Sequence, residues 1–330
     1  MRIIKENIKK ILVIRLDRIG DLVCSLPVAQ VLKSNYPCAS VSFMTTPYTK
    51  DLVMGNRNID EVIVYDRRMG FFEKIKFFKR LRNSGFDTAI ILSPYFESAF
   101  IAYLSRAVLR LGYPRDRGSH LKHEIEACLD IIRPLGIVAG GMIPRLDTCI
   151  PEEKFAQEFM LKNNILDSDI IVGIHPGASQ RYRRWHSRGF SRLIDMLVEE
   201  QKVKIVLFCG KKDMKIIDNI LKSVKRAPIV CGPELNLKEL AALIKRCKVF
   251  LGNASGPGHI ASATGTPTVM IFGNIHPLDS EFKWAPRGEN NIVVRKKMDC
   301  VACHPAKCFY HKCLKKLDVE DVFLAVKKCL

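Results

Sequence analysis

The sequence predicts two α/β domains in tandem, each built on a parallel sheet covered by helices. Short runs of β-branched residues alternate with amphipathic stretches, a rhythm typical of doubly wound sheets. The alternation stops near residues 150–169 and then begins again. A chain of 330 residues is also longer than a single hydrophobic core usually supports, and it suits two domains of roughly 150 residues each. We therefore predict one domain over residues 1–165 and a second over 166–330, facing each other across a cleft.

In the first half, the uninterrupted apolar run Ile11–Ile14 predicts a buried strand. Apolar residues at helical spacing through Asp21–Asn35 predict the helix that follows it. The same two patterns predict strands at Ala39–Met44, Glu61–Tyr65 and Thr88–Leu92, and helices at Phe71–Asn83, Ala99–Val108 and His123–Leu135.

In the second half, Pro151 precedes a polar helix, Glu152–Asn163, after which the strands resume. Asn236 and Glu239 form a capping box that predicts a helix running to Arg246. The other predicted strands are Ile170–Ile174, Lys204–Cys209, Ile229–Val230, Val249–Leu251 and Thr268–Phe272, and the helices are Phe190–Glu200, Lys215–Val224, Gly258–Ala263 and Asp318–Lys328.

The charge is unusual, because 53 Lys and Arg against 34 Asp and Glu give a net charge of +19. Such an excess favours an anionic partner, which composition alone leaves open among nucleic acid, a membrane surface and a phosphorylated small molecule. The sequence shows no signal peptide and no apolar run that could span a bilayer. We expect a cytoplasmic protein.

Ligands of doubly wound sheets bind where strands end and helices begin, so these turns are the places to search. The first turn holds Gly20, which permits a sharp bend, and Asp21, which either caps the helix or acts as a general base. The second turn contains Ala178 and Ser179, followed by a basic segment with Arg183. Small residues and arginine suit phosphate oxygens, although a solvated basic loop has the same composition.

The third turn runs from Ser255 through Gly256, Pro257 and Gly258 to His259, between a strand and a helix. The helix N-terminus predicts a site for a diphosphate, while His259 either contacts phosphate or packs. The dinucleotide fingerprint is missing, which argues against a nicotinamide cofactor.

Four cysteines lie close together near the end of the chain: Cys300, Cys303, Cys308 and Cys313. Their spacing suits one tetrahedral structural zinc. Free or partly disulfide-bonded thiols and a nucleic-acid-binding zinc knuckle are the alternatives.

Together these turns resemble glycosyltransferase family 9, the ADP-heptose:lipopolysaccharide heptosyltransferases. The resemblance implies a GT-B architecture of two Rossmann-like domains, the first binding the acceptor and the second the nucleotide-sugar. It implies an ADP-sugar donor, a lipid-linked anionic glycan acceptor, and inversion by direct displacement without an essential metal or cofactor. The segments that carry it are Arg15–Pro27, His123-Glu124, His175–Ser179 with Trp185, Leu237–Phe272 and the cysteine cluster.

The resemblance also implies roles for individual residues. Asp21 matches the catalytic base, and Arg183 matches a residue that steadies the leaving diphosphate. Asp213 matches an acid that holds the ribose. The substrate-binding set is Gly20, Ala178, Ser179, Asp213, Ser255, Gly256, Pro257, Gly258 and His259.

One departure is Ala254, which stands where the family usually has an Asp in the third turn. Its presence predicts a different sugar, a weaker donor site, or an impaired relative that still binds sugar nucleotides.

The basic, aromatic segment Phe71–Arg82 has two readings. It either lies on an anionic inner leaflet beside a lipid-anchored acceptor, or is a domain helix with its apolar face buried. Arg106, Arg110, Arg115 and Arg117 are expected to add to a basic surface on the acceptor side, since a lipopolysaccharide core is itself anionic. We expect a peripheral contact with the inner membrane and no nucleic acid partner.

Overall fold

The computed structural model describes residues 8–113, 122–273, 276, 279–300, 303, 304, 307, 308 and 310–330. Arg115 and Arg117 lie outside these residues. The chain divides into two compact units, Met1–Asp147 and Thr148–Leu330. The division comes before the predicted boundary at residue 165, because the helix Ile150–Lys162 packs on the second unit. There Glu153 accepts from Lys245 at 2.7 Å and from Arg246 at 3.2 Å.

The first unit is a parallel sheet with the strand order β3-β2-β1-β4-β5 in its described part. Because successive connections run in opposite directions from β1 and such connections are right-handed, the helices cover both faces. Its elements are β1 Lys10–Ile14, α1 Ile19–Asn35, β2 Ser40–Thr45, β3 Glu61–Val64, α2 Phe71–Asn83, β4 Thr88–Ile91, α3 Phe96–Leu104, β5 Leu109–Leu111 and α4 Glu124–Asp130.

The second unit repeats this plan, with the strand order β11-β10-β9-β6-β7-β8 among its described residues. The predicted capping box is confirmed, because the Asn236 side chain accepts from Lys238 N and Glu239 N, both at 2.9 Å. Its elements are α5 Ile150–Lys162, β6 Ile171–His175, α6 Ser187–Gln201, β7 Lys204–Phe208, α7 Met214–Leu221, β8 Ile229–Cys231, α8 Leu237–Lys245, β9 Val249–Asn253, α9 Gly256–Ala263, β10 Thr268–Ile271, α10 Glu281–Trp284, β11 Asn291–Val294, α11 Lys312–Lys315 and α12 Val319–Lys327.

Most predicted elements are confirmed to within a few residues, and the differences have local causes. The helix α3 ends before the predicted Val108, since Arg106 adopts a left-handed backbone with φ of 59°. The helix predicted to reach Leu135 ends at Asp130 and is followed by a separate turn of 3₁₀-helix containing Pro134, which cannot donate an N–H.

Each unit has its own apolar core. In the second unit, α12 places Val319, Val322 and Phe323 into the core beside β10 and β11, so the terminal helix belongs to that unit. Within the described part of the chain, no helix is both long and apolar enough to cross a membrane.

Candidate functional site

Asp21 lies in the first turn of α1, just beyond the carboxyl end of β1. The helix N-cap is Arg18, so the reading of Asp21 as the cap is wrong. Gly20 lies inside the same turn and lacks a left-handed backbone, so the predicted sharp bend is also wrong. The Asp21 side chain is 25% exposed and is directed to Arg15.

Arg15 is the buried centre of this site. Its Nη2 donates to Asp21 Oδ1 at 3.0 Å and to Glu124 Oε1 at 2.8 Å. Its Nε lies 3.0 Å from Asp17 Oδ2. One buried guanidinium is therefore shared among three carboxylates: Asp17 from the turn after β1, Asp21 from α1 and Glu124 from α4.

The three carboxylates are supported unequally. Glu124 also accepts from the Tyr113 hydroxyl at 3.0 Å, and Asp17 accepts from the Ser93 hydroxyl at 2.7 Å. Among the described residues, Asp21 has Arg15 as its only donor, and it shares that donor atom with Glu124. Asp21 is thus the most exposed and least supported carboxylate of the group.

These surroundings raise the pKa of Asp21 above its ordinary value. Burial is the largest cause, Arg15 acts in the opposite direction, and the charges of Asp17 and Glu124 raise the pKa further. A raised pKa makes the ionised carboxylate a stronger proton acceptor. The arrangement can therefore hold a basic carboxylate in one orientation while leaving an oxygen accessible.

In the second unit, the segments that contain Pro176 and Trp185 meet at Asn253, the last residue of β9. Asn253 is fully buried, its Oδ1 accepts from Trp185 N at 2.9 Å, and its Nδ2 donates to Pro176 O at 2.7 Å. Ala178 O accepts from Arg184 Nε at 2.7 Å. These bonds fix the loop after β6, where Ala178 is buried and Ser179 is exposed.

His175, at the end of β6, connects two other predicted residues. Its Nε2 lies 3.5 Å from Asp213 Oδ2, and its Nδ1 lies 3.3 Å from Ser255 Oγ. Burial opposes ionisation of Asp213, but the hydrogen bond and charge of His175 hold the pKa of this carboxyl below its usual range. The carboxyl is also packed on Gly177, where a Cβ would come within 2.3 Å of Asp213 Oδ1. Asp213 therefore packs against the loop after β6 through Gly177 and His175. Its predicted contact with the ribose stays a prediction.

The start of α9 contains the predicted diphosphate residues. Ser255 is the N-cap, and Gly256, Pro257 and Gly258 form the first turn. Pro257 has no N–H, and Gly258 N donates to Ser255 O at 3.2 Å, so fewer N–H groups are available than the position suggested. A Cβ on Gly258 would come within 2.2 Å of Met270 Cε, so a larger residue there would require the end of the Met270 side chain to move.

A family model described as glycosyltransferase family 9 (heptosyltransferase) matches residues 74–314. The chain belongs to glycosyltransferase family 9.

Named relatives of this family 9 chain agree. It is 29% identical over 299 residues to lipopolysaccharide heptosyltransferase 3 of Escherichia coli K12, covering 83% of this chain and 84% of that protein. A family 9 glycosyltransferase structure from Veillonella parvula has a TM-score of 0.86 at 24% identity, covering 97% of both chains. E. coli ADP-heptose lipopolysaccharide heptosyltransferase II has a TM-score of 0.81 at 21% identity, covering 97% of this chain and 98% of that one. The shared fold is the GT-B architecture of two Rossmann-like units.

Two residues predicted to bind phosphate have protein partners in this family 9 chain. The Arg183 guanidinium forms an ion pair with Asp279 and lies 5.9 Å from the centre of the Tyr182 ring. His259 is buried, with its ring 6.3 Å from that of Trp284 in an edge-to-face arrangement. A diphosphate would have to compete with Asp279 for the Arg183 guanidinium. The burial of His259 and its contact with Trp284 support the packing interpretation of this side chain.

The cysteine cluster is where the sequence predicts a structural zinc. Cys300, Cys303, Cys308 and Cys313 are free thiols. Among the described residues, no group of three or more His, Cys, Asp or Glu side chains is arranged to hold a metal ion. The structural zinc stays a prediction from spacing.

The sequence analysis did not single out Arg15, Glu124 and Asn253, whose hydrogen bonds hold the two candidate sites together. Arg15 directly follows the buried strand β1 and Asn253 is the last residue of the buried strand β9, and a polar side chain at the end of an apolar run is a signal that could have found them. Glu124 was noted only as opening a helix, and its partner lies 109 residues away in the sequence.

Proposed function

We propose that this chain is an inverting glycosyltransferase that moves a heptose from ADP-heptose to the inner core of lipopolysaccharide. Membership of family 9 supports glycosyl transfer. The relatives named as lipopolysaccharide heptosyltransferases support the choice of sugar and acceptor. The acceptor would be a lipid-linked anionic glycan, which suits the net charge of +19.

Asp21 is the proposed general base. The observation that carries this role is the partly exposed carboxylate that shares the buried Arg15 with Glu124, under surroundings that raise its pKa. Asp21 would accept the proton of the acceptor hydroxyl as that oxygen attacks the anomeric carbon, and the diphosphate would leave from the opposite side.

The second unit is the proposed donor-binding unit. The loop of Ala178 and Ser179 and the first turn of α9 supply backbone and hydroxyl groups suited to a diphosphate. Arg183, when exchanged from Asp279 to the donor, would stabilise the negative charge of the leaving group. In this scheme Arg183 and the polar groups of these two segments stabilise the negative charge of the leaving diphosphate, and no metal is required.

Transfer from ADP-heptose to a heptose-deficient core acceptor, followed as ADP release, tests the proposal. Asp21→Asn keeps the shape of the side chain and should lower the rate about 10²–10⁴-fold, the usual contribution of a general base. Its affinity for ADP, measured by calorimetry, should stay within about two-fold of the parent because Asp21 does not belong to the donor loops. Asp51→Asn, on another helical turn of the first unit, is the matched control. Full activity in Asp21→Asn would exclude the assigned base.

Ala254 favours one alternative, a relative that binds sugar nucleotides without transferring them. Its N–H donates to Ile271 O at 3.1 Å, and its methyl group stands where the family usually has a carboxylate. Binding of ADP-heptose by the parent protein without turnover, and turnover by Ala254→Asp, would support this alternative over the transferase.

A further inference from the structure

Two neighbouring helices of the first unit expose an unusual number of aromatic rings. Phe71 and Phe72 at the start of α2 are 74% and 77% exposed, and Phe96 at the start of α3 is 84% exposed. Tyr95, Phe100 and Tyr103 are exposed as well. Contiguous exposed apolar surface of this kind marks an interaction site more often than scattered single residues do.

The apolar residues of α2 divide into two sets, so the helix is not simply half buried. Phe77 and Phe78 pack against Tyr65, with ring centres 5.4 and 6.1 Å apart, and attach the helix to the core of the first unit. Phe71 and Phe72 contact each other edge to face at 5.7 Å and remain exposed. The core therefore accounts for the second half of the helix and leaves the first turn unexplained.

The aromatic rings of α3 follow one helical stripe. Phe96, Phe100 and Tyr103 recur at spacings of four and three residues, whereas Ile101 and Ala102 on the other side are buried. Phe96 and Phe100 stack with their ring centres 6.2 Å apart. Since α2 packs against α3, both sets belong to one surface, the aromatic–basic face.

Cations surround these rings. Lys76, Lys79, Arg80 and Arg82 of α2 are exposed, and Arg110 lies 5.7 Å from the centre of the Tyr103 ring. Aromatic rings beside lysine and arginine match the boundary of an anionic bilayer, where rings occupy the headgroup level and cations meet lipid phosphates. The charge of this surface disfavours a basic protein partner.

The position of the aromatic–basic face in the sheet connects it to the candidate base. In a parallel sheet every strand ends at the same edge, so the first turns of α1, α2 and α3 lie along that edge. Asp21 is in the first turn of α1, Phe71 and Phe72 are in that of α2, and Phe96 is in that of α3. Ser93, three residues before Phe96, donates to Asp17 of the site.

We propose that the aromatic–basic face docks on an anionic phospholipid bilayer, with its aromatic rings at the headgroup level beside the edge that carries Asp21. The proposal rests on the proposed function only for the lipid-linked acceptor; binding to the bilayer itself follows from exposure and charge. Docking by this face would bring a membrane-anchored acceptor to the sheet edge that carries Asp21.

Co-sedimentation with vesicles tests this proposal without any transferase assay. We expect the full chain to bind phosphatidylglycerol-containing vesicles and to bind pure phosphatidylcholine vesicles far less. Lys76→Ala with Lys79→Ala should weaken binding about five-fold for each cation removed. The combined variant Phe71→Ser, Phe72→Ser, Phe96→Ser and Phe100→Ser should lose most binding to the anionic vesicles. Phe282→Ser, which removes an equally exposed ring from the second unit, is the matched control and should bind as the parent does.

Three results would overturn the proposal: no binding of the parent to anionic vesicles, full binding by the four-ring variant, or an equal loss in Phe282→Ser. If the parent protein does not bind anionic vesicles, the aromatic–basic face would instead be interpreted as a contact surface for another protein. Thermal unfolding and ADP calorimetry on each variant separate docking from folding and from the proposed function, because exposed rings should leave the melting temperature and the ADP affinity unchanged. A protein that binds vesicles but transfers no sugar would refute the proposed function and leave the docking face intact.

Discussion

Replacing Glu124 with glutamine isolates the effect of one charge on the candidate base. The amide keeps an oxygen to accept from Arg15 and Tyr113, so packing changes little while one negative charge disappears. Arg15 can then pair more strongly with Asp21, and the ionised form of Asp21 is favoured. The pKa of Asp21 should fall.

The size of this change follows from the shared donor atom. Asp21 and Glu124 lie 3.0 and 2.8 Å from the same Arg15 Nη2, so their bonded oxygens are close neighbours. Two unit charges about 6 Å apart repel by roughly 3 kcal/mol at an effective dielectric constant of about 20, equivalent to roughly two pKa units. Solvent at the partly exposed Asp21 reduces this, and we expect a shift of about one unit.

The assay is the dependence of kcat/KM on pH, with ADP-heptose as donor. Because Asp21 must be ionised to accept a proton, the acidic limb of the profile should move down by about one pH unit in Glu124→Gln. The plateau should fall about three-fold, since the base is weaker. Glu126→Gln, on the same helix but bonded to Gly141 N, is the control. An acidic limb that stays in place or moves upward would refute the reasoning.

Other predictions concern the second unit. Asn253→Ala leaves two buried backbone groups without their partner and should lower the free energy of unfolding by about 2–3 kcal/mol, measured by urea denaturation. Gly177→Ala should lower the melting temperature and ADP affinity, because its Cβ would collide with Asp213, whereas Gly232→Ala has open space and should have little effect. The lowered pKa of Asp213 stabilises the fold above the carboxyl's unfolded pKa, and this contribution is lost as pH falls through the lower folded value. Asp213→Asn should therefore be less stable than the parent near neutral pH, with the difference shrinking in acid, as thermal melts at several pH values would show. Metal analysis of the purified protein, with Cys303→Ser as comparison, tests the predicted zinc: about one zinc per chain that is lost in the variant supports it, and metal-free parent protein excludes it.

The sequence was sufficient to predict the central strands of both sheets, and it was less reliable for the strands at the sheet edges. Ile11–Ile14 reads as a strand because a parallel strand buried on both faces consists almost entirely of apolar residues. The edge strands β5 and β11 were missed because they are short: β5 has three residues with Arg110 at its centre, and β11 has four with only three apolar residues in a row. Helix ends depended on backbone events such as the left-handed Arg106.

The candidate site was located by motif but not understood from it. Turn position identified Asp21, yet its environment depends on Glu124 and Tyr113, which only the folded sheet brings next to Arg15. Likewise, the partner of Arg183 is Asp279, 96 residues away. Pairings at such separation are set by topology, and local sequence carries no information about them.

Asn253 has a consequence for how tightly a ligand can bind. The bonds from its amide to Trp185 N and Pro176 O form within the protein alone, so the loop after β6 is already ordered before any donor arrives. A ligand that meets an ordered loop does not lose affinity to freezing its backbone, a loss of about 1–2 kcal/mol for each residue that must otherwise be fixed. Removing this one uncharged side chain would therefore weaken ligand binding through entropy, without deleting a single contact to the ligand.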